Sequence, residues 1–292
     1  MKLQQTTGIA NRSAANATLD IDSLVKTKLP PLPGSVVRIL DLIQDPDIAT
    51  RILADEVGHD PALTARILRL ANSPIYFLQR KVTSIQQAIN VIGVKSLYDM
   101  LMISVAADSF SYELRNSIAG RIIWEHSLAV ALCARDLSMK MGLRGSEEVF
   151  ICGLLHDIGK LMLLHVEPDK YSNILEITSE EEMLSWEVET FGYDHSEIAA
   201  IIARAWKLPD DIGRTILNHH NASSEGGFGI VAHLINLADI VANVNGFGLR
   251  LEEPELITSS YSKSFLKLSD DQIEASWIAI KPDLDEIIGV FS

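Results

Sequence analysis

Asp60-Pro-Ala-Leu-Thr-Ala-Arg-Ile-Leu-Arg-Leu-Ala-Asn-Ser73 is the stretch on which the fold turns. Asp60 is an N-cap residue, and Pro61 stands at the first helical position, where its missing N–H costs nothing. Behind them Leu63, Ile67 and Leu70 recur at spacings of four and three with Arg66 and Arg69 between, the pattern of a helix with one apolar face. The same spacing runs through almost the whole chain, and alternating β-type patterns are rare and short. The predicted fold class is therefore all-α. Ser84 caps a second run that ends at Gly93, and Asp194 with Glu197 reads as a capping box. Pro33, Pro168, Pro209 and Pro282 stand where helices would begin, and a C-terminal helix is expected from near Ser269, with another near Pro282.

A chain of 292 residues, 47% of them hydrophobic, can bury the core of one large domain or two moderate ones. Charges interrupt the apolar runs, so no stretch reaches the roughly 20 apolar residues of a membrane span, and no membrane insertion is expected. Residues 1–20 are small and polar without a secretory apolar core, which predicts a frayed tail. Cys133 and Cys152 each sit in an apolar helical pattern; they read as core residues in a reducing, cytoplasmic compartment. The net charge of -14, with no basic cluster, argues against nucleic acid as a partner. Gly226, Gly227 and Gly229 lack the strand, Lys and Ser of a phosphate loop. Residues 171–203 hold eight carboxylates and no Lys or Arg, which reads as a solvated helix face.

Histidine divides the chain. Residues 23–110 contain only His59, whereas the other seven histidines fall between residues 118 and 245. The expected organisation is a flexible tail over 1–22, a helical packing module over 23–110, a histidine-rich helical part over 111–250 and an acidic helical tail over 251–292. The Gly/Ser-rich segment 223–229 reads as a loop between helices.

The central chemical motif is His156-Asp157-Ile-Gly-Lys160, which follows Cys152-Gly-Leu-Leu155 on an expected buried helix. Adjacent side chains project about 100° apart on a helix, so both reach one ion only at its mouth; Lys160, a turn later, faces the same opening. That suits a metal facing a phosphate. His126 lies on the largely apolar helix Trp124-Glu-His-Ser-Leu-Ala-Val130 and Asp239 between Ala238 and Ile240, and a carboxylate in such a setting normally needs a cation. His126, His156, Asp157 and Asp239 would offer two imidazoles and two carboxylates to Fe, Mn, Zn or Mg. His195, His219 and His220 could complete a second site; equally, His195 could be a first-turn structural residue and the pair a solvated helix end. His59 and His165 read as surface or boundary residues, and His233 as that or as outer support.

These phrases resemble the HD superfamily of metal-dependent phosphohydrolases and, over residues 23–240, its signalling branch, the HDOD domain. The resemblance rests on Leu29-Pro-Pro-Leu-Pro33, on the opening stretch, on Ser84-Ile-Gln-Gln-Ala-Ile-Asn-Val-Ile-Gly93, on His156-Asp-Ile-Gly-Lys160, on His195-Ser-Glu-Ile-Ala-Ala200, on Trp206-Lys-Leu-Pro209 and on His219-His220. It implies an N-terminal helical subdomain packed on an HD-like helical core, and bacterial signalling through protein contacts without turnover, with signalling proteins and a nucleotide or phosphoester ligand as partners. The alternative it implies is a metal-dependent phosphohydrolase, in which Lys160 stabilises developing negative charge and Asp157 positions water. The related HD-GYP proteins, which hydrolyse cyclic di-GMP, have a glutamate four residues before the first histidine. Here that position is Ile122, and the sequence after His220 departs from their signature.

Overall fold

The computed structural model describes residues 19–29, 32, 34–43, 45, 48–72, 80–143, 145–222 and 229–291. Every regular element among them is helical, so the fold is all-α. α1 (Ile21–Lys28), α2 (Gly34–Ile43), α3 (Thr50–Gly58), α4 (Pro61–Ala71) and α5 (Ile85–Ser109) come first, and α6 (Ser111–Asn116) turns the chain into α7 (Ile118–Lys140). α8 (Ser146–Leu155), α9 (Ile158–Val166), α10 (Pro168–Tyr171), α11 (Glu180–Phe191), α12 (His195–Ala205), α13 (Asp210–Leu217) and α14 (Ile230–Val244) follow. α15 (Glu255–Ser259), α16 (Tyr261–Leu266) and α17 (Asp270–Phe291) end the chain.

The caps form where residue chemistry places them. Asp60 accepts from the N–H groups of Ala62 and Leu63 at 3.0 Å each, and Ser84 Oγ accepts from Gln87 at 3.2 Å. Asp194 and Glu197 close their box reciprocally, at 2.9 and 3.1 Å. Pro168 is the first residue of α10, and Pro209 stands one residue before α13. The expected start at Pro33, residues 1–18 of the tail and residues 223–228 of the Gly/Ser-rich loop lie outside the described residues.

Two boundaries differ from expectation. The run capped by Ser84 breaks at Gly93, whose φ is +83°, but helix resumes to Ser109. Most of the resumed segment is buried, and that packing outweighs the break. Pro282 starts no helix; it lies inside α17. Ile273, Ile280, Leu284 and Ile287 make one buried stripe across it, and α17 packs on α7, so burial offsets the lost N–H bond.

α7 is the axis of the core. Leu128, Ala129, Val130, Ala131, Leu132, Cys133 and Ala134 are all 0–1% exposed, as in a helix covered on every side; α6, α8, α14 and α17 provide the cover. The N-terminal helices pack on this core through α5 against α8, with Asp99–Arg135 and Lys95–Glu147 ion pairs, each 2.7 Å, across the join. Cys133 and Cys152 are free and buried, and burial pushes both thiols up to about 12, which makes them inert. Contrary to the sequence expectation, Ile85–Ser109 and Ser146–Val166 are long and apolar enough to cross a membrane. In the second, 89% of its most apolar stretch is buried within the protein, where that surface is already covered.

Candidate metal centre

The His-Asp motif does not continue a helix. α8 ends at Leu155, His156 is its C-cap, and Asp157, with φ -103° and ψ 8°, is the N-cap of α9. The expected helix mouth is thus a joint between two helices, which turns both side chains inward. Glycine makes the closeness possible. A Cβ on Gly153 would lie 2.7 Å from Ala131 Cα of α7, and one on Gly159 would overlap the carbonyl oxygen of His195. These contacts draw α8 onto α7, which carries His126, and α9 onto the start of α12, which carries His195.

All seven residues singled out from the sequence meet here. His126 Nε2 lies 3.1 Å from Asp239 Oδ1 and 3.7 Å from Asp157 Oδ2, and His156 Nε2 is 3.5 Å from the same Oδ2. The other oxygen of Asp157, Oδ1, faces His195 Nε2 at 3.3 Å, and His195 Nε2 lies 2.7 Å from His220 Nε2. The His219 ring sits between, with its centroid 5.0 Å from that of His156 and 5.6 Å from that of His195. Asp157 therefore stands between two groups, one of His126, His156 and Asp157, the other of His195, His219 and His220. The ligand atoms within each group lie within 4.8 Å of one another. Buried as it is, the His219-His220 pair is no solvated helix end.

The rings share one orientation. A carbonyl oxygen only accepts, so Nδ1 carries the proton in His126, bonded to Phe247 O at 2.7 Å. The same holds for His156 on Gly153 O at 2.7 Å and His219 on Ile216 O at 2.6 Å. Glu187 Oε2 holds His195 Nδ1 at 2.7 Å, and Glu180 Oε1 lies 2.7 Å from His220 Nδ1. Five rings thus aim Nε2 inward, the second-sphere arrangement that orients imidazole ligands toward a metal. His156 Nε2, His219 Nε2 and Asp157 Oδ1 are buried without a donor, a state that costs about 1–3 kcal/mol per group unless a cation fills it. Two bare lone pairs 2.7 Å apart, on His195 and His220, also require a proton or cation between them. The donor set fits a divalent metal.

The charges agree. Burial would raise Asp157, but His156, Lys160, His195 and His126 together hold its carboxyl well below the usual range. Asp239 is likewise lowered, burial being overcome by His126. Burial takes His156 down to about 4 and pushes His219 well below its ordinary value, so both rings are neutral. Lys160 Nζ sits 2.7 Å from Asp157 Oδ2, and Asn243 Nδ2 donates to Asp239 Oδ1 at 2.8 Å.

Glu180 and Glu187 went unread in the sequence, and the acidic segment is only partly a solvated face. Glu187 is 0% exposed, because it shares one side of α11 with buried Met183 and Phe191, at spacings of four. That spacing was the available signal. Tyr171 Oη donates to its other oxygen at 2.6 Å. His165 pairs with Glu113 at 2.8 Å, and His233 packs against Ser262 and Phe265, so neither joins the centre. His59 is an exposed neighbour of Glu56.

An all-helical core with histidine and aspartate side chains converging from α7, the α8–α9 joint, α12 and α14 defines an HD-type protein. The chain belongs to the HDOD family, whose domain model matches residues 29–222. It is 26% identical over 196 residues to an uncharacterised protein of Treponema pallidum, a match covering 66% of this chain and 38% of that protein; the chain therefore spans well under half of this relative. Among solved structures, an HDOD domain protein of unknown function from Geobacter sulfurreducens is 26% identical, with a TM-score of 0.75 over 92% of this chain and 96% of that one. A Shewanella amazonensis protein provisionally described as a phosphohydrolase is 21% identical, with a TM-score of 0.73 over 94% and 98%. One from Marinobacter aquaeolei provisionally described as a signal transduction protein is 22% identical, with a TM-score of 0.74 over 95% and 62%. At these identities the last two show the shared fold.

Proposed function

We propose that this chain is a cytoplasmic bacterial signalling protein in which the HDOD core holds divalent metal on either side of Asp157 and binds a phosphoester or nucleotide, with output through contacts to partner proteins. The observation that carries the metal reading is the convergence of five inward Nε2 atoms on two carboxylates, with buried acceptors lacking donors. Bound there, Fe, Mn, Zn or Mg would supply Lewis acidity toward a phosphoryl oxygen. The chain's own residues do the rest. Asp157 presents one oxygen to each group, Asn243 orients Asp239, and His156, His195 and His219 are held in the protein interior.

A second reading, metal-dependent phosphoester hydrolysis, draws on Lys160, whose ammonium group lies at the centre where charge would develop on a phosphoryl group. Ile122 leaves the position four residues before His126 without a carboxylate.

Metal analysis of protein purified without chelator, then a phosphoester panel on the same sample, separates the readings. Bound metal with no hydrolysis supports the signalling reading. Turnover abolished by His156→Ala supports hydrolysis, and protein that takes up no metal even after reconstitution with Fe or Mn ends both.

A further inference from the structure

The chain leaves α14 through Gly246, at φ +83°, into a loop tied to the centre at successive points. Phe247 gives its carbonyl to His126 Nδ1 at 2.7 Å. Gly248 lies so close to Asn243 Oδ1 that a Cβ would not fit, and Asn243 in turn holds Asp239. Two residues later Arg250 reaches the pocket that opens onto the centre, whose wall also includes Lys160, Glu180, Met183, His220 and Asp239. A loop anchored to two candidate ligands holds Arg250 in a set position toward them.

The guanidinium there is unspent. Nη1 donates to Met183 Sδ at 3.6 Å, a weak acceptor, and Nε is buried with no partner. Elsewhere Arg66 is matched to Asp108 and Arg135 to Asp99. Lys160, the other cation of the pocket, is committed to Asp157 at 2.7 Å. A role as counterion to Glu252 explains less, because burial leads in raising that carboxyl and Arg250 acts on it only as an attraction that fails to bring it down. A planar fork of donors left open at the mouth of a metal-capable centre is built for an oxyanion.

We propose that Arg250 is the anion clamp of this pocket, its guanidinium taking phosphoryl oxygens of the ligand while the histidine–aspartate centre lies beneath. This rests on the reading of the pocket as a phosphoester site and names the residue that selects for it.

The test is calorimetric titration of inorganic phosphate into the full chain as wild type, Arg250→Met and Arg250→Lys, each after its metal content is measured. Equal metal content in all three, phosphate affinity at least about tenfold weaker in Arg250→Met and a partial loss in Arg250→Lys are expected, because Lys keeps the charge but not the fork. Unchanged phosphate affinity in Arg250→Met overturns the clamp while leaving the metal centre standing. Loss of metal in Arg250→Met also overturns it, making the residue a structural support. A metal-loaded wild type that takes up no phosphate overturns it as well. Arg250-dependent phosphate binding in protein that takes up no metal even after reconstitution with Fe or Mn supports the clamp and ends the metal reading.

Discussion

Glu187 Oε2 accepts twice from His195, from its backbone N–H at 2.8 Å and from Nδ1 at 2.7 Å. The carboxylate fixes both the start of α12 and the ring's tautomer, so His195 Nε2 faces Asp157. Glu187→Ala would leave three buried donors unmatched, the His195 N–H and Nδ1 and the Tyr171 hydroxyl, a cost of about 3–6 kcal/mol. Thermal or denaturant unfolding should show that loss, and metal content should fall with it. Glu187→Gln keeps the volume and one acceptor, so its effect should be smaller. Equal stability of wild type and Glu187→Ala would refute the assignment.

Asp157 belongs to one ligand group and turns its Oδ1 toward His195 of the other at 3.3 Å, whereas His219 belongs to the second. On that geometry Asp157→Asn should empty the whole centre, whereas His219→Ala should retain about half of the wild-type metal. Elemental analysis decides this. A single ion in wild type, untouched by His219→Ala, would remove the second group.

Gly159 faces the backbone of His195, which cannot swing aside as a flexible side chain would. Gly159→Ala should therefore destabilise by roughly 1–3 kcal/mol and part Asp157 from His195. Both denaturation midpoint and metal affinity should drop; a neutral substitution would mean that α9 and α12 have slack.

Metal binding should weaken as pH falls. Burial alone would lower His126, but Asp239 and Asp157 overcome it and raise the ring, and Glu180 does the same for His220. A raised ring keeps its proton to higher pH in the metal-free protein, and an incoming cation must displace it. His156, at about 4, imposes no such competition near neutrality. Apparent affinity should fall by up to about tenfold per pH unit for each proton displaced. Calorimetry in buffers of different ionisation enthalpy reads the released protons directly; affinity flat from about pH 6 to pH 8 would contradict it.

Helix caps were legible from sequence because they are local. Asp60, Ser84 and Asp194 reach N–H groups two or three residues away, a distance the chain sets by itself. Pro282 and Gly93 misled because their local penalties were outweighed by burial against α7 and α8, which no window of sequence contains. Glu187 was hidden by its composition: seven other carboxylates in the same stretch suggested solvent, and only the packing of α11 sorts the buried one from the rest.

By itself the sequence determined the all-α class, through apolar spacing, and the seven side chains able to take a metal, through residue type and apolar flanks. Tertiary structure alone decided that His195, His219 and His220 adjoin the centre of His126 and Asp239, which nitrogen each ring presents, and that Glu180, Glu187 and the Phe247 carbonyl set those rings. The reason is physical: periodicity and capping act over one or two helical turns, whereas ring orientation is set by partners brought within 3 Å only when the helices pack.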